Sequence, residues 1–170
     1  FTPKAGKAEE LTCPPYDIID EEQRRAFLAQ NPYNIIRLEL PKDGNEPYKQ
    51  AGKVLEGWLN DGILRQDDTP ALYVYEIRFT LERDGNISGT EGETRSIMGL
   101  VGLVKLEEFE KGIVLPHEET LSKAKTDRFN LMQATNCNFS CIYSLYMDDD
   151  GKGEMPDIPS LISNMQPISR

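Results

Sequence analysis

The chain has 170 residues and a net charge of −10 at neutral pH, with 38% hydrophobic and 28% charged residues. This length and composition are typical of a globular protein with its own core and argue against disorder. The acidic balance argues against nucleic-acid binding, because basic residues that contact phosphates supply most of that affinity. No apolar run approaches the roughly 20 residues of a membrane-spanning helix, so we expect no membrane association.

The cysteines and the chain ends bear on the cellular context. Three cysteines, an odd number, do not fit a disulfide framework, and no signal-peptide layout is present, so we expect a cytoplasmic protein. The cysteines and the single histidine match no recognised structural zinc spacing, which favours buried, unreactive thiols. Because the chain starts at Phe1 without a methionine and ends at Arg170 without a closing signal, we expect a fragment of a longer protein.

The first half of the chain alternates between helical and extended patterns. Two prolines make Leu11–Asp17 a loop, and Asp20 is the predicted N-cap of a helix over Glu21–Gln30. Tyr33–Leu40 is rich in β-branched and aromatic residues, which predicts a strand. Apolar residues recur at helical spacing over Pro47–Asp61, which predicts a second helix, closed by a C-terminal glycine.

The second half is predicted to contain a hairpin, a helix and a further strand. Ala71–Leu81 alternates between apolar and polar residues, and Arg95–Glu108 is the predicted return strand. The polar segment Arg83–Thr94 is the predicted hairpin loop. A helix follows over Leu121–Ala134, and Asn138–Met147 is the last predicted strand.

Antiparallel strands with interspersed helices predict an α+β fold with a mixed or antiparallel sheet and packed helices. We expect a single domain over residues 1–150. The acidic, glycine-rich Asp148–Glu154 and the prolines after it predict that residues 151–170 are a linker or the start of a missing C-terminal portion.

One segment, Leu115–Arg128 (LPHEETLSKAKTDR), combines titratable groups with a position suited to anions. It enters the predicted last helix, whose N-terminus presents unpaired backbone N–H groups and partial positive charge. His117 and Glu118 are the candidate catalytic acid–base groups of this segment. The candidate phosphate- or substrate-binding residues are Thr120, Lys123, Lys125 and Arg128.

The same segment has a structural interpretation, which composition alone favours. Thr120 is then a simple N-cap and the two glutamates before it are acids placed favourably next to the helix N-terminus. The lysines and Arg128 then belong to one solvated helix face.

Two further candidate positions lie in the first half. The rigid loop CPPYD aims Tyr16 and Asp17 at a ligand in one interpretation, and the favoured alternative is a proline-rich crossover with Tyr16 packed on the core. Arg37 suits phosphate or carboxylate, and a structural salt bridge is an equal alternative. On a strand, Asn34 and Arg37 would lie on opposite faces. The sequence lacks the phosphate-loop, dinucleotide-binding and zinc-protease motifs.

The strings CPPYDII, NPYNIIRLELP and LPHEETLSKAKTDRFNLMQAT, in this order, resemble the bacterial and archaeal family called domain of unknown function 1015. WLNDGIL and ALYVYEIRF fit the same pattern, so the resemblance covers about Leu11 to Met147. Its members are longer, so the resemblance implies that this chain is an N-terminal portion.

Members of that family are often labelled as resembling ParB/Spo0J partition proteins. The label implies a ParB- or sulfiredoxin-like fold with a nucleotide-phosphate loop that opens a helix. The PHEET string departs from that loop, since no glycine precedes His117 and Glu118 replaces an arginine. The resemblance also implies a serine- or phosphoserine-related reaction.

Three functional hypotheses follow. The first is a nucleotide- or phosphometabolite-binding domain, extended to a small-molecule phosphotransferase that uses a nucleotide with Mg²⁺. In it, Glu118 or Asp17 is the general base or Mg²⁺ ligand and Tyr16 orients the substrate. The second is a non-enzymatic scaffold or interaction domain whose motif holds the fold together. The third is a ParB-like, DNA-associated regulator, which the acidic charge disfavours for this chain.

Overall fold

The computed structural model describes residues 1–81, 93–117, 121–145 and 163. In this part of the chain, helices and an antiparallel pair of strands form an α+β protein, as predicted. The helices are α1 (Ala8–Leu11), α2 (Glu21–Gln30), α3 (Ile36–Glu39), α4 (Pro47–Asn60) and α5 (Ser122–Thr135), the strands are β1 (Tyr73–Leu81) and β2 (Glu93–Val101), and single 3₁₀ turns cover Pro3–Ala5, Tyr16–Ile18 and Phe109–Lys111. None of the helices in the described residues has the length and apolarity needed to cross a membrane.

The chain divides into two compact units, of which the first contains all five of these helices and the second contains the hairpin. The first unit, called the helical unit below, comprises Phe1–Asp68 and Glu107–Ile142. Its main core consists of apolar side chains around α4: Ala5, Leu11, Leu38, Ala51, Leu55, Trp58, Ile63 and Leu131. Full burial of a large apolar side chain contributes about 1.5–3 kcal/mol to stability, so this cluster is the main stabilising element of the unit.

The helix α2 begins where the sequence predicts it. The backbone N–H of Gln23 donates to Asp20 Oδ1 at 2.8 Å, and the backbone N–H of Asp20 donates to Gln23 Oε1 at 3.0 Å. This reciprocal capping box pairs two backbone donors, one of which the helix itself leaves unpaired. The helix ends at Gln30, because Asn31 is extended and a proline follows.

The predicted strand over Tyr33–Leu40 is wrong, since this segment forms a turn followed by α3. Asn34 is fully buried and explains the difference. Its side-chain amide donates to the carbonyls of Glu10 and Thr12 at 2.8 and 3.0 Å, and its Oδ1 accepts from the N–H of Ile36 at 3.0 Å. These bonds fix a helical turn against α1 and outweigh the β-propensity of the isoleucines. The prediction that Asn34 and Arg37 lie on opposite faces depended on this strand and is wrong for the same reason.

The helices α4 and α5 pack against each other in the same direction. The hydroxyl of Tyr48 donates to Asp127 Oδ1 at 2.7 Å, and one turn further along α4 a Cβ built on Gly52 would lie 2.6 Å from the carbonyl oxygen of Ala134. Both contacts occur in the same order along the two helices, so their N-terminal ends lie on the same side. A side chain at position 52 would therefore meet the backbone of α5.

The ends of α4 and α5 agree with the predicted helices to within one residue. Gly62, with φ of +67°, follows α4 in the left-handed conformation that favours glycine. Asn136, with φ of +53°, has the same conformation after α5. Leu131 of α5 is buried, whereas Phe129 and the N-cap residue Leu121 are 58% and 79% exposed.

The hairpin pairs β1 with β2 in register, with Tyr73 opposite Val101 and Ile77 opposite Ile97. A Cβ on Gly99 would overlap the ring of Tyr75 on the opposite strand, so the ring packs directly over this glycine. The return strand starts at Glu93 and ends at Val101, so its predicted extension to Glu108 is wrong. The predicted loop over 83–94 lies mostly outside the described residues.

The last predicted strand, Asn138–Met147, is not present in its described part, since residues 138–145 form no strand. Residues 146–147 lie outside the described part of the chain, as do the predicted acidic loop and, except for residue 163, the predicted linker.

Candidate functional site

A groove with a volume of about 370 Å³ lies beside the N-terminal turns of α4 and α5. It is lined by Tyr48, Ser122, Lys123, Thr126 and Asp127. Among the residues that the structure describes, the lining therefore offers one cation, three hydroxyls and one carboxylate. Because the two helices run in the same direction, the partial positive charge of both N-termini lies on this side.

The structure places only part of the predicted catalytic and anion-binding segment at this groove. Lys123 lines it, whereas Lys125 is exposed and does not. His117 is exposed in the segment before α5, and Glu118 and Thr120 lie outside the described residues. The N-cap of α5 is Leu121, so the structural interpretation that made Thr120 the N-cap is wrong by one position.

Arg128, the third predicted cation, is held by groups of the protein itself. Its Nε and Nη2 donate to Asp127 Oδ2 at 2.9 and 2.6 Å, Nη1 donates to Glu39 Oε1 at 3.2 Å, and Nη2 donates to the Glu39 carbonyl oxygen at 2.9 Å. Four of the five guanidinium N–H donors can be assigned to these bonds. The Arg128 Cζ also lies 3.8 Å from the centre of the Tyr16 ring, which is cation–π geometry.

Glu39 is one of three residues of this network, with Asp127 and Ser140, that the sequence interpretation did not name as site residues. Its side chain is only 10% exposed, and the Ser140 hydroxyl also donates to its Oε1. The available signal for Glu39 was an acid set between two leucines in the run NIIRLEL, since a buried carboxylate needs a paired cation. Through Glu39, Arg128 links α3, α5 and the segment after α5.

Tyr16 is a predicted site residue that the structure brings to Arg128. It lies in the 3₁₀ turn Tyr16–Ile18 and is half-buried, whereas Asp17 in the same turn is exposed. Tyr16 also packs against the smaller apolar cluster of Ile19, Ile36 and Leu40. The Tyr16 ring therefore packs on the core, as the favoured alternative predicted, and it also contacts a cation.

Arg37 lies away from the groove lining. Its Nη2 donates to the carbonyl oxygen of Leu28 at 2.8 Å, in the last turn of α2. This contact satisfies a helix-terminal carbonyl and places a cation at the negative end of the helix. Its Nε is buried without a hydrogen-bond partner among the described residues.

The network changes the acidity of three groups. Burial alone would raise the pKa of Asp127, but the hydrogen bonds from Arg128 and Tyr48 hold it below its usual value. The bond to Asp127, with burial, raises the pKa of Tyr48. Burial and the charge of Glu39 raise the pKa of Cys13 to about 11. At neutral pH, Asp127 is therefore ionised, and Cys13 is a thiol without nucleophilic character.

No group of three or more His, Cys, Asp and Glu side chains that could hold a metal occurs within the described ranges. The predicted Mg²⁺ would in any case arrive with a nucleotide, because Mg²⁺ is commonly held by few carboxylates together with substrate phosphates.

Comparison with known proteins gives one match. No curated protein matches the chain, and no solved structure matches it. The ParB- or sulfiredoxin-like character expected from the resemblance therefore remains a prediction. A family model described as "Protein of unknown function (DUF1015)" matches residues 1–165, which is nearly the whole chain. The chain belongs to this family.

Proposed function

We propose that this chain binds a small phosphate-bearing molecule, a nucleotide or a phosphometabolite, in the groove at the N-terminal turns of α4 and α5. The observation that carries the proposal is the lining of that groove, in which Lys123 and the hydroxyls of Ser122 and Thr126 lie beside two helix N-termini. Backbone N–H groups, hydroxyls and an ammonium group are the donors that proteins use for phosphate.

The charges around the groove support an anionic ligand of modest size. Asp127 is the one carboxylate among the described lining residues, and Arg128 at 2.6 Å offsets part of its charge. Because Arg128 also pairs with Glu39, these three groups together carry one net negative charge, and the positive part of the groove is Lys123 with the helix N-termini. The Tyr48 hydroxyl is held in place by its bond to Asp127.

Phosphoryl transfer, with a serine-related substrate, is the reaction that we attach to this proposal. It needs mainly positioned cations and dipoles, with one acid–base group at the accepting hydroxyl. The candidates for that group are His117, Glu118 and Asp17. The exposure of His117 and Asp17 is compatible with direct contact to a ligand.

The test is a ligand screen with a matched pair of lysine variants. ATP, ADP, CTP, GTP, serine, phosphoserine and pyrophosphate are each tested by thermal shift, with and without Mg²⁺. A ligand present at 100 times its dissociation constant adds about 2.7 kcal/mol of stability, a shift of several degrees. Lys123→Ala should abolish the shift, whereas Lys125→Ala, two residues along the same helix and outside the groove lining, should retain it.

Two outcomes contradict the proposal. One is the absence of a shift with every phosphate compound. The other is a shift that Lys123→Ala leaves unchanged, since the ligand then binds elsewhere. His117→Ala separates binding from chemistry, because a catalytic histidine is expected to affect turnover more than affinity.

A scaffold or interaction domain is the second candidate, and the Arg128 network is the observation that favours it. The Arg128 guanidinium contacts Glu39, Asp127 and the Tyr16 ring, which all belong to the same chain. In this interpretation the motif serves to fasten α5, and variants at Arg128 lose stability whether or not any ligand exists. Lys123 distinguishes the two candidate functions. It contributes to ligand binding in the first, and to neither binding nor stability in the second.

A further inference from the structure

The outer edge of the hairpin is the surface that the proposed phosphate site does not use. Within the described residues the sheet consists of β1 and β2, so the edge of β1 away from β2 pairs with no strand there. Apolar side chains along this strand remain accessible, and Ile77 at its centre is 43% exposed. A long edge strand with accessible apolar residues is a template for pairing with another chain.

The sequence of β1 is complementary to itself when read antiparallel about Ile77. In that register Glu76 of one copy lies opposite Arg78 of the second, and Arg78 lies opposite Glu76. Both are exposed, and within one chain Arg78 Nη2 lies 2.8 Å from Glu76 Oε2. Directly opposite residues of an antiparallel pair project from the same face, so both cross-chain ion pairs can form.

The apolar positions agree with the same register. Ile77 meets its own equivalent on the two-fold axis, and Tyr75 lies opposite Phe79. Alternate residues of β1 direct their backbone N–H and C=O groups away from β2. The register pairs odd-numbered residues with odd-numbered ones and even-numbered residues with even-numbered ones, so the outward-directed residues of the two copies lie opposite each other. The strand β2 lacks this property, since pairing about its centre Ile97 places Arg95 opposite Gly99.

We infer that two copies of this chain associate through antiparallel pairing of β1 about Ile77, with reciprocal Glu76–Arg78 pairs across a two-fold axis. The symmetry is that of an isologous dimer, in which one surface contacts itself. Each copy supplies the same strand edge, so a single charge reversal affects both cross-chain pairs at once. That doubling makes the interface sensitive to mutation.

The test is the oligomeric state of the 170-residue chain, measured by sedimentation equilibrium. At about 100 µM a micromolar dimer is largely formed, so the unmodified chain should sediment as a dimer. Glu76→Arg and Arg78→Glu should each weaken the dimer at least about tenfold, because like charges then face each other twice. The double variant Glu76→Arg/Arg78→Glu restores opposite charges and should dimerise like the unmodified chain.

An equimolar mixture of the two single variants separates the cross-chain pairs from the pair within each chain. Both variants lack the internal ion pair, but together they place Arg opposite Glu at both positions. Recovery of a dimer in the mixture supports the inference. A monomeric unmodified chain, charge reversals without effect on its dimer, or a mixture that stays monomeric would each overturn it. None of these outcomes depends on the phosphate groove, so the two proposals fail separately.

Discussion

Replacing Arg128 by alanine should destabilise the helical unit strongly. The substitution removes all the guanidinium bonds to Glu39 and Asp127 and the contact with the Tyr16 ring. It also leaves the Glu39 carboxylate, only 10% exposed, without a cation. Breaking a buried ion pair from one side costs 3–5 kcal/mol. Because Arg128 is itself 20% exposed and Ser140 still donates to Glu39, we expect about 3 kcal/mol, the lower end of that range.

The assay is urea unfolding followed by tryptophan fluorescence. Trp58 is the single tryptophan of the chain, is 6% exposed, and lies in the core of the same unit as Arg128. A loss of 3 kcal/mol corresponds to a melting temperature lower by roughly 6–12 °C for a protein of this size. Arg128→Lys should lose less, since it keeps the charge but not the bidentate geometry.

A second variant tests the reasoning behind this magnitude. In the Arg128→Ala background, Glu39→Gln removes the carboxylate charge that has lost its cation. The double variant should therefore lose less free energy of unfolding than the two single variants lose together, by at least about 1 kcal/mol. An Arg128→Ala protein whose free energy of unfolding stays within about 0.5 kcal/mol of the unmodified chain would refute the structural role assigned to this network.

Three further predictions concern packing, thiol reactivity and pH. Gly52→Ala should destabilise the protein by about 1–3 kcal/mol in the urea assay, despite the higher helix propensity of alanine, because the new Cβ would lie 2.6 Å from a carbonyl oxygen of α5. In the folded protein at pH 8, exposed Cys141 should react with iodoacetamide at least about tenfold faster than Cys13, because burial raises the pKa of Cys13 to about 11. The two reaction rates are measured by peptide mass spectrometry, and equal rates would contradict the burial of Cys13. A hydrogen bond from Arg24 holds the pKa of Asp43 below its usual value. This pair therefore stabilises the protein above the unfolded pKa of about 4, and the stabilisation is lost as the pH falls through the lower folded pKa. Asp43→Asn should therefore lower the urea midpoint at pH 7 and leave it unchanged near pH 2, and an equal effect at both pH values would exclude this linkage.

The Arg128 prediction changes how variants of the motif are interpreted. Loss of ligand binding in Arg128→Ala does not identify a phosphate ligand, because the substitution also removes support for α5. Lys123 is exposed, and substituting it leaves the Arg128 network intact. The comparison of Lys123 with Lys125 is therefore the decisive experiment for the phosphate site.

The elements with local signals can be predicted from the amino-acid sequence. The helix α2 follows from the cap at Asp20, and α4 from a regular apolar stripe that ends before Gly62. The hairpin strand β1 follows from alternation. Each of these signals acts over a few residues, so it can be recognised without knowing what the segment packs against.

The conformation of Tyr33–Leu40 and the role of Arg128 depend on contacts between distant parts of the chain. The first has the composition of a strand, but bonds from Asn34 to carbonyls more than twenty residues earlier hold it as a turn and a helix. The second has the appearance of a phosphate ligand, but Glu39, 89 residues away in sequence, occupies its guanidinium. In both cases the deciding partner is distant along the chain. A buried polar group must find its partner in the folded protein, and local pattern contains no information about which one it finds.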